Sequence, residues 1–394
     1  MNRLGLYIHI PFCLRKCVYC DFLSAPELYH SAPAYFHALK EEIRLRAAVY
    51  PERAATAVDT VFIGGGTPSS VPSAYLQDVL HVLRTSWNIL PEAEITIEAN
   101  PGTVSFDQLR DYLSMGINRL SLGIQAMDDP LLKALGRIHR RDQALSALSA
   151  AIEAGFRNVN ADLIFGIPGI CGIPPQTAEQ FYSALRQVIS QGVTHLSAYS
   201  MIVEPQTALY SLMERGEMVP CDEEAEREMY HQGIEILEKA GFFQYEISNF
   251  ARQGMECAHN KKYWQCDPYL GFGLGAASCF RLKETGVPES AGSVLARTTN
   301  NREFSSYLEG KWEGETERLT RYEEMQEFMM LGFRMRTGPS PEGFQRKFAT
   351  DYRLIFRKEL DKLMEKGLVE AAGQGVRLTE KGLDYGNLVF MEFV

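Results

Sequence analysis

Short apolar runs alternate with amphipathic stretches along the first half of the chain. Runs rich in β-branched and aromatic residues predict six strands, at residues 4–10, 57–63, 94–98, 119–123, 158–164 and 195–199. The stretches between them repeat apolar residues at helical spacing. Strand-then-helix units of this kind form a parallel sheet, either open and doubly wound or closed into a full or partial (β/α) barrel. We favour an α/β fold with a partial (β/α)6 barrel.

The pattern changes in the last third of the chain. An acidic amphipathic helix at 223–240 is followed by a section rich in glycine and aromatic residues, and from about Leu319 helices precede two short strands, at 368–371 and 375–378, and a last helix from Thr379. Helices followed by a small hairpin predict a winged-helix-like α+β module. We interpret it as a cap or protein-contact element rather than a DNA-binding domain, because acidic residues are mixed with its basic ones.

These patterns predict three parts of the chain. They are a barrel at residues 1–220, a linking section at 221–315 and the winged-helix-like module at 316–394.

Composition narrows the class of protein. The 394 residues are 45% apolar and 23% charged, which is enough to bury a large core. A net charge of −10 without any long lysine or arginine run argues against nucleic acid as a partner. No stretch approaches the ~20 apolar residues of a transmembrane helix, and the N-terminus lacks a secretion signal. We therefore expect a cytoplasmic protein whose eight cysteines are metal ligands or core residues rather than disulfides.

Three of these cysteines stand in one short loop after the first predicted strand. Cys13, Cys17 and Cys20 have the spacing Cys-x-x-x-Cys-x-x-Cys. Three thiolates can hold three irons of a [4Fe–4S] cluster, which normally has four protein ligands. The alternatives are three unrelated thiols and a zinc site, but zinc ribbons use paired Cys-x-x-Cys knuckles and no second knuckle is present. The spacing indicates a cluster with one iron open to a small molecule.

The other unusual residues also follow strands. They are the glycine loop at 64–68, Glu98, Gln125 and Asp162. Because the carboxyl ends of parallel strands meet on one rim, we expect these residues to lie around a single site. The glycine loop has no lysine, so a nucleotide-triphosphate loop is disfavoured. For the glycine loop, the alternative is a tight turn that simply needs glycine. For Glu98, the alternative is a carboxylate at a strand end that is only solvated.

With these residues in place, the chain resembles the radical S-adenosylmethionine (SAM) superfamily. Within it, the resemblance is to the group of the HemN coproporphyrinogen III dehydrogenases and the HemW heme chaperones. The segments that carry the resemblance are YIHIPFCLRKCVYCDF, FIGGGTPS, IEANPGT, RLSLGIQAM, LGRIH, NADLIFGIPG and HNKKYW. They follow one another in order along nearly the whole chain.

The resemblance implies roles for individual residues. The cluster cysteines would leave one iron for the amino and carboxylate groups of SAM, and an electron from the cluster would break the C5′–S bond of SAM. Arg137 resembles the residue that holds the methionine carboxylate, with a surface arginine as the alternative. The residues implied to border SAM are Tyr7, Tyr19, Gly65, Gly66, Thr67, Glu98, Gln125, Arg137, Asp162 and Ser200. For the two tyrosines, packing at the barrel mouth is the alternative.

Two features of the sequence favour the chaperones over the dehydrogenases as its nearer relatives. The dehydrogenase carries a further cysteine two residues after the third ligand, where this chain has Phe22, and a longer arm before its cluster loop. HNKKYW resembles the chaperone's motif, in which His259 would be a heme-iron ligand. The alternative for His259 is a histidine that ties down an irregular loop. Residues 170–175 are inserted relative to both relatives, and Cys257, Cys266 and Cys279 are interpreted as structural thiols.

The resemblance therefore implies a protein with a [4Fe–4S] cluster and SAM that binds heme and delivers it to apoproteins. An electron donor for the cluster is a further implied partner. The competing hypotheses are oxidative decarboxylation of coproporphyrinogen III, radical methylation or opening of another tetrapyrrole, and a DNA- or partner-binding role of the C-terminal module.

Overall fold

A computed structural model describes residues 3–24, 26–282 and 294–394. The strands are β1 (Leu4–Ile10), β2 (Val58–Gly65), β3 (Ile89–Ala99), β4 (Arg119–Gln125), β5 (Asn158–Phe165), β6 (Gly169–Ile170), β7 (His195–Ser200), β8 (Met218–Val219), β9 (Phe243–Glu246), β10 (Asn249–Ala251), β11 (Tyr269–Phe272), β12 (Ala277–Leu282), β13 (Val294–Asn300), β14 (Glu313–Leu319), β15 (Val369–Ala372) and β16 (Gly375–Leu378). The helices are α1 (Ala32–Val49), α2 (Pro51–Ala54), α3 (Ser73–Ser86), α4 (Phe106–Ser114), α5 (Asp129–Ala134), α6 (Arg141–Ala154), α7 (Ala178–Ser190), α8 (Ala208–Glu214), α9 (Glu223–Lys239), α10 (Ala258–Trp264), α11 (Phe304–Leu308), α12 (Arg321–Gly332), α13 (Pro341–Phe348), α14 (Tyr352–Ile355), α15 (Arg357–Glu365), α16 (Glu380–Asp384) and α17 (Gly386–Phe390).

One large sheet organises the first 319 residues. Its strand order is β14-β13-β12-β11-β1-β2-β3-β4-β5-β7-β10-β9. Within this order, the six neighbouring strands β1, β2, β3, β4, β5 and β7 are parallel. They are the six strands that the sequence predicts. Strand β11 joins β1 in parallel on the other side, and antiparallel strands extend both flanks. The predicted α/β fold is confirmed.

Alternation along β1 explains how the strands divide core from site. Leu6, Ile8 and Ile10 are fully buried and belong to the main hydrophobic core, which the outer helices share. Tyr7 and His9 point to the opposite face, because successive side chains of a strand alternate. The same alternation on the neighbouring strands makes the inner face of the sheet largely polar.

A short helix inserted after the parallel strands closes one end of the sheet. The backbone N–H groups of the first two residues of α10 donate to Glu94 on β3, at 2.9 and 3.1 Å. His259 is bonded to Thr60 on β2 at 2.9 Å, and Lys262 forms an ion pair with Asp59 at 2.7 Å. These partners lie in the amino-terminal halves of β2 and β3. We call α10 with Asp59, Thr60 and Glu94 the barrel floor.

The C-terminal segment has a hydrophobic core of its own, built from residues between Met325 and Phe393. Helices α12 to α15 precede the β15–β16 hairpin, and Thr379 caps the following helix, as the sequence predicts. Backbone bonds join this segment to β9 and its turn, from Ile247 N–H to Arg334 and from Arg336 N–H to Tyr245, both 3.1 Å.

The boundaries at residues 220 and 315 stay predictions. Residues 283–293 of the predicted linking section lie outside the described residues. In the part of the chain that the structure describes, no helix has the length and apolar character needed to span a membrane.

The inserted residues 170–175 form a small turn at the edge of the barrel. Ile170 and Ile173 exchange backbone hydrogen bonds at 3.0 Å, and β6 pairs with β8. After the turn, the backbone N–H of Gln176 donates to the carbonyl of Ile167 at 2.9 Å. Asp162 keeps its place on the inner face of β5, so the insertion does not disturb it.

Candidate functional site

A cavity of about 440 Å³ opens at the carboxyl ends of the parallel strands. The strand-end residues singled out in the sequence lie around it, as the convergence of parallel strands requires. Those that line it are Cys13, Cys17, Tyr19, Cys20, Gly65, Gly66, Thr67, Glu98, Gln125, Arg137, Asp162 and Ser200. The predicted single site is therefore present as one cavity.

An aromatic cluster anchors the cysteine loop. Phe12, which precedes the first cysteine, is fully buried and packs edge-on against Tyr35, with ring centroids 5.3 Å apart. Its carbonyl accepts a hydrogen bond from the Thr67 N–H at 2.7 Å. Further along the loop, the Val18 N–H donates to the carbonyl of Leu135 at 3.2 Å. The loop is thus fixed at both ends while its thiols face the cavity.

The three cysteines suit a cluster better than a single ion. In residues 3–24, 26–282 and 294–394, no group of three or more His, Cys, Asp or Glu side chains is arranged to hold one metal ion. This finding disfavours the zinc alternative for the three thiols. Burial raises the pKa of the Cys20 thiol to about 11 and also raises that of Cys13, so a bound metal must displace their protons.

Gly66 gives the first cysteine its space. A Cβ atom at Gly66 would lie 2.7 Å from the Phe12 carbonyl and 3.1 Å from the Cys13 sulfur. A Cβ at Gly65 would lie 2.6 Å from the His9 ring, and the φ of Gly65 is 112°. The glycine loop is thus required both by backbone conformation and by the close approach of the cysteine loop. This cradle fits a cluster bound at Cys13.

A chain of hydrogen bonds joins two of the cysteines. The Cys13 sulfur lies 3.3 Å from the Thr67 hydroxyl, which accepts from the Asn100 amide at 2.9 Å. Arg137 donates through one nitrogen to the Asn100 side-chain oxygen and through another to the Cys17 sulfur, the latter at 3.4 Å. We call Thr67, Asn100 and Arg137 the sulfur belt. Donors to cluster sulfurs orient them and tune the reduction potential of the iron.

Two carboxyl groups form the inner wall of the cavity. Glu98 accepts from the Gly65 N–H at 3.1 Å, and Asp162 accepts from Asn160 at 2.8 Å and from Ser121 at 3.2 Å. Burial, together with the nearby Asp162, raises the pKa of Glu98 to about 8. Burial also raises the pKa of Asp162. Such a pair attracts a cationic or hydrogen-bond-donating ligand, whose arrival would ionise the protonated carboxyl.

The remaining cavity residues offer a mixed set of polar contacts. The Nε of Arg137 is buried without a hydrogen-bond partner, whereas its two terminal nitrogens contact Asn100 and Cys17. Gln125 has a φ of 69°, a strained conformation that turns the chain at the end of β4. The Ser200 hydroxyl donates to Glu226, which leaves its backbone as the part that faces the cavity. The donor and acceptor set thus fits an amino acid joined to a nucleoside, which is the chemistry of SAM.

Two predicted residues do not line the cavity. Tyr7 lies deeper on the inner face, where its hydroxyl meets the His9 ring at 3.1 Å and its ring stacks on Phe62. His259 lies in the barrel floor, 1% exposed, with its ring nitrogens 2.9 Å from the Thr60 and Tyr263 hydroxyls. Burial lowers the pKa of His259 to about 3.

This environment does not favour iron ligation by His259. Both ring nitrogens already have partners, and a bond to iron would require one of them to leave. The prediction that His259 binds heme iron stays untested.

Three polar residues of the site were not singled out in the sequence. Asn100 stands two residues after Glu98, and Ser121 and Asn160 hold Asp162. The Asn100 position carried a signal, because it follows Glu98 at the same strand end. Asn160 lies two residues before Asp162 on the same face of β5, a relation that the alternation of a strand could have indicated. Ser121 lies on β4, and only the register of the sheet brings it to Asp162.

Comparisons with known proteins agree with the geometry. Residues 7–194 match the radical SAM superfamily, and residues 319–385 match the HemN C-terminal domain. The heme chaperone HemW of Bacillus subtilis is 35% identical, over 98% of each chain. The heme chaperone HemW of Escherichia coli is 34% identical, over 96% of this chain and 95% of its own.

Among solved structures, the fold is similar to the coproporphyrinogen III oxidase HemN of Escherichia coli, which is described as a radical SAM enzyme. The TM-score is 0.81, and the match covers 100% of this chain and 90% of that one. The two sequences are 24% identical, so this likeness concerns the fold.

Proposed function

Because the chain belongs to the HemW group of the radical SAM superfamily, we propose that it is a heme chaperone, which binds heme and passes it to apoproteins. The observation that carries this proposal is the likeness to curated heme chaperones along the whole chain, at 35% identity over 98% of both sequences for the relative from Bacillus subtilis. The likeness to the oxidase HemN supports the fold alone, at 24% identity.

The cavity supplies the places for the two cofactors of the superfamily. Cys13, Cys17 and Cys20 would hold the cluster in the cradle opposite Gly66. When both are bound, the cluster supplies the electron that cleaves SAM. The chain's own residues would position both groups: Arg137 contacts Cys17 and lines the cavity, where it would hold the carboxylate of SAM.

The other proposed SAM contacts follow the walls of the cavity. Glu98 and the glycine loop would accept from the amino group, while Gln125 and Asp162 would accept from the ribose hydroxyls. The residues proposed to border SAM are Tyr19, Gly65, Gly66, Thr67, Glu98, Gln125, Arg137, Asp162 and Ser200, with Tyr7 behind them. Raised pKa values of both carboxyls are consistent with a site that ionises on ligand binding.

The finer parts of the proposal concern setting and organisation. We place the protein in the cytoplasm with an electron donor for its cluster. A net charge of −10 supports partners other than nucleic acid. The separate core of the C-terminal segment supports a terminal module, whereas residues of the proposed linking section, such as Phe250 and Phe272, belong to the core of the barrel.

The test begins with the full-length protein reconstituted anaerobically with iron and sulfide. It is incubated with hemin, and the heme-loaded protein is then mixed with apomyoglobin. The proposal predicts stoichiometric heme binding followed by the appearance of holomyoglobin absorbance. A matched pair of variants checks the cluster: Cys17→Ala loses iron and sulfide, whereas Cys171→Ala, an exposed cysteine in the 170–175 insertion, keeps them.

The competing function is tested with the same preparation. Coproporphyrinogen III, SAM and a reductant are added, and porphyrins are separated after oxidation. The heme-chaperone proposal predicts no decarboxylated product. Turnover to protoporphyrinogen, or failure of the reconstituted protein to bind heme, would contradict it.

A further inference from the structure

Large apolar side chains surround the mouth of the cavity and reach into solvent. Leu14 and Phe22, from the cysteine loop, are 55% and 62% exposed. Ile138, after α5, is 44% exposed, and Ile202, after β7, is 66% exposed. These four residues, which we call the mouth ring, come from three separate segments that meet only at the cavity. Exposed apolar patches of this kind mark binding surfaces.

The mouth ring lies outside the set of residues proposed to hold the cluster and SAM. The residues proposed for those groups are cysteines, glycines, polar side chains and aromatic residues deeper in the cavity. Leu14, Phe22, Ile138 and Ile202 offer no polar atom to SAM and no ligand to iron. A second, apolar occupant explains why the chain exposes them.

Charged groups at the mouth narrow the chemistry of that occupant. Arg15 and Lys16 lie next to each other between the first two cluster cysteines, and both line the mouth. Neither forms an ion pair within the described ranges of the chain. Asp21 and Glu204 also line the mouth, so the surface as a whole is not basic. The arrangement suits a flat apolar molecule that carries carboxylates on one edge only.

We propose that heme binds on the mouth ring, over the cavity, with its propionates directed to Arg15 and Lys16. The inference rests on the proposed heme-chaperone function and names the surface that carries the cargo. It places the heme at the opposite end of the barrel from His259, whose ring is enclosed in the floor. It also gives a role to Phe22, which occupies the position where the HemN dehydrogenases have a further cysteine.

The first test is a hemin titration of the anaerobically reconstituted protein, followed by difference absorbance. Ile202→Glu and Ile138→Glu each place a charge against the porphyrin face, and we expect the dissociation constant to rise about tenfold or more. Leu354→Glu is the matched control, because Leu354 is 74% exposed but lies on the C-terminal segment. Iron and sulfide content shows that each variant retains the cluster and hence the folded barrel.

The second test separates the propionates from the ring. In the Arg15→Gln, Lys16→Gln double variant we expect several-fold weaker binding of hemin and unchanged binding of hemin dimethyl ester, whose carboxylates are masked. Equal effects on the two ligands, or none on either, would overturn the placement of the propionates.

The outcomes separate this inference from the function on which it rests. If the unmodified protein binds no hemin, the heme-chaperone proposal fails and the inference with it. If the unmodified protein binds hemin and both isoleucine variants bind it equally well, the mouth ring alone is overturned. Loss of hemin in His259→Gln with intact cluster content, and full binding by the ring variants, would move the heme to the floor.

Discussion

The two ends of the barrel are built from the same strands, yet their polar groups have different partners. In the floor, His259 is bonded to two hydroxyl groups, and Glu94 accepts from two backbone N–H groups of α10. At the cavity end, Arg137 keeps a buried nitrogen without a partner, and burial raises the pKa of Glu98 to about 8. His259 and Glu94 thus have partners inside the chain, whereas Glu98 lines the cavity with a raised pKa. Buried nitrogens without a hydrogen-bond partner occur at both ends, on Arg137 and on Trp264 of α10.

This difference teaches where a buried polar residue is structural and where it is functional. A histidine whose two ring nitrogens are both bonded inside the chain stabilises the fold and has no free nitrogen for a ligand, whereas a bonded carboxylate can still accept from one. A donor or acceptor held in a cavity without a partner costs free energy unless something binds there. The predictions below therefore compare substitutions at the two ends.

The largest effect is expected from removing one cysteine at each end. Cys17→Ala should lose most of the cluster iron and sulfide after reconstitution, with little change in the stability of the apoprotein. Cys257→Ala, in the floor, should keep the cluster but lower the free energy of unfolding by about 1–2 kcal/mol, because Cys257 is fully buried. Iron and sulfide analysis and urea unfolding measure the two effects. Equal loss of iron and sulfide in both variants would contradict the proposed difference between the two ends of the barrel.

Removing the floor histidine should mainly destabilise the fold. His259→Ala leaves the Thr60 and Tyr263 hydroxyls without their partner and opens a cavity, so we expect a loss of about 2–4 kcal/mol in the free energy of unfolding. Gln265→Ala, an exposed position after the same helix, is the control and should change stability by less than about 0.5 kcal/mol. A fully stable His259→Ala protein would show that the floor is not held by this residue.

SAM binding should depend on pH through Glu98. Below a pKa of about 8 the carboxyl carries a proton, which must leave before it accepts from the SAM amino group. We expect the dissociation constant of SAM to fall by up to about tenfold per pH unit as the pH rises towards 8, and then to level off. In Glu98→Gln this part of the dependence should disappear. Isothermal titration between pH 6 and 9 measures it, and identical profiles would contradict the role of Glu98.

The floor should make the apoprotein sensitive to acid. Burial lowers the pKa of His259 from 6.5 to about 3, so below pH 6.5 the unfolded chain binds a proton that the folded chain refuses. The stabilising contribution is therefore complete above pH 6.5 and is lost as the pH falls towards 3, by at most about 1.4 kcal/mol per pH unit.

The matched variant isolates that contribution. Unfolding free energies at pH 7 and pH 5.5 should differ less in His259→Gln than in the unmodified protein, because glutamine does not titrate. Burial also lowers the pKa values of His9 and His139 to about 4. Their contribution to the pH dependence of the unfolding free energy is the same in both proteins. The same difference between the two pH values in both proteins would show that His259 is not a buried neutral histidine.

The smallest effect is expected in the sulfur belt. Asn100→Ala removes the link between Thr67 and Arg137, which weakens the orientation of the donor to Cys17. We expect the cluster to assemble normally but to be reduced at a more negative potential, because hydrogen bonds to cluster sulfurs favour the reduced state. A redox titration followed by EPR measures it, with Asn88→Ala as the exposed control. An unchanged reduction potential in Asn100→Ala would show that the sulfur belt has only a structural role.

Much of this architecture follows from local patterns in the sequence. The six parallel strands were predicted because alternation and β-branched residues are short-range signals, and the cavity follows from the convergence of their carboxyl ends. Glu98 was found in this way because it ends a predicted strand, whereas Cys13 was found from the spacing of the three cysteines.

The floor could not be predicted in the same way. The sequence of α10 shows a short motif with a histidine, but not which end of a distant barrel the helix enters. His259 meets Thr60 across 199 residues, and only the folded sheet brings them together. The belt residue Asn100 was missed for a similar reason, because its partners are distant in the sequence: Thr67 follows β2 and Arg137 follows α5.

The most direct test of the difference between the two ends is the release of SAM from the cluster-loaded protein. Labelled SAM is bound first, hemin is added or omitted, and the loss of label is followed after dilution into unlabelled SAM. If heme lies on the mouth ring, it covers the cavity and SAM release slows markedly with hemin, but not in Ile202→Glu. Release at the same rate with and without bound hemin would contradict the account and place the cargo elsewhere on the protein.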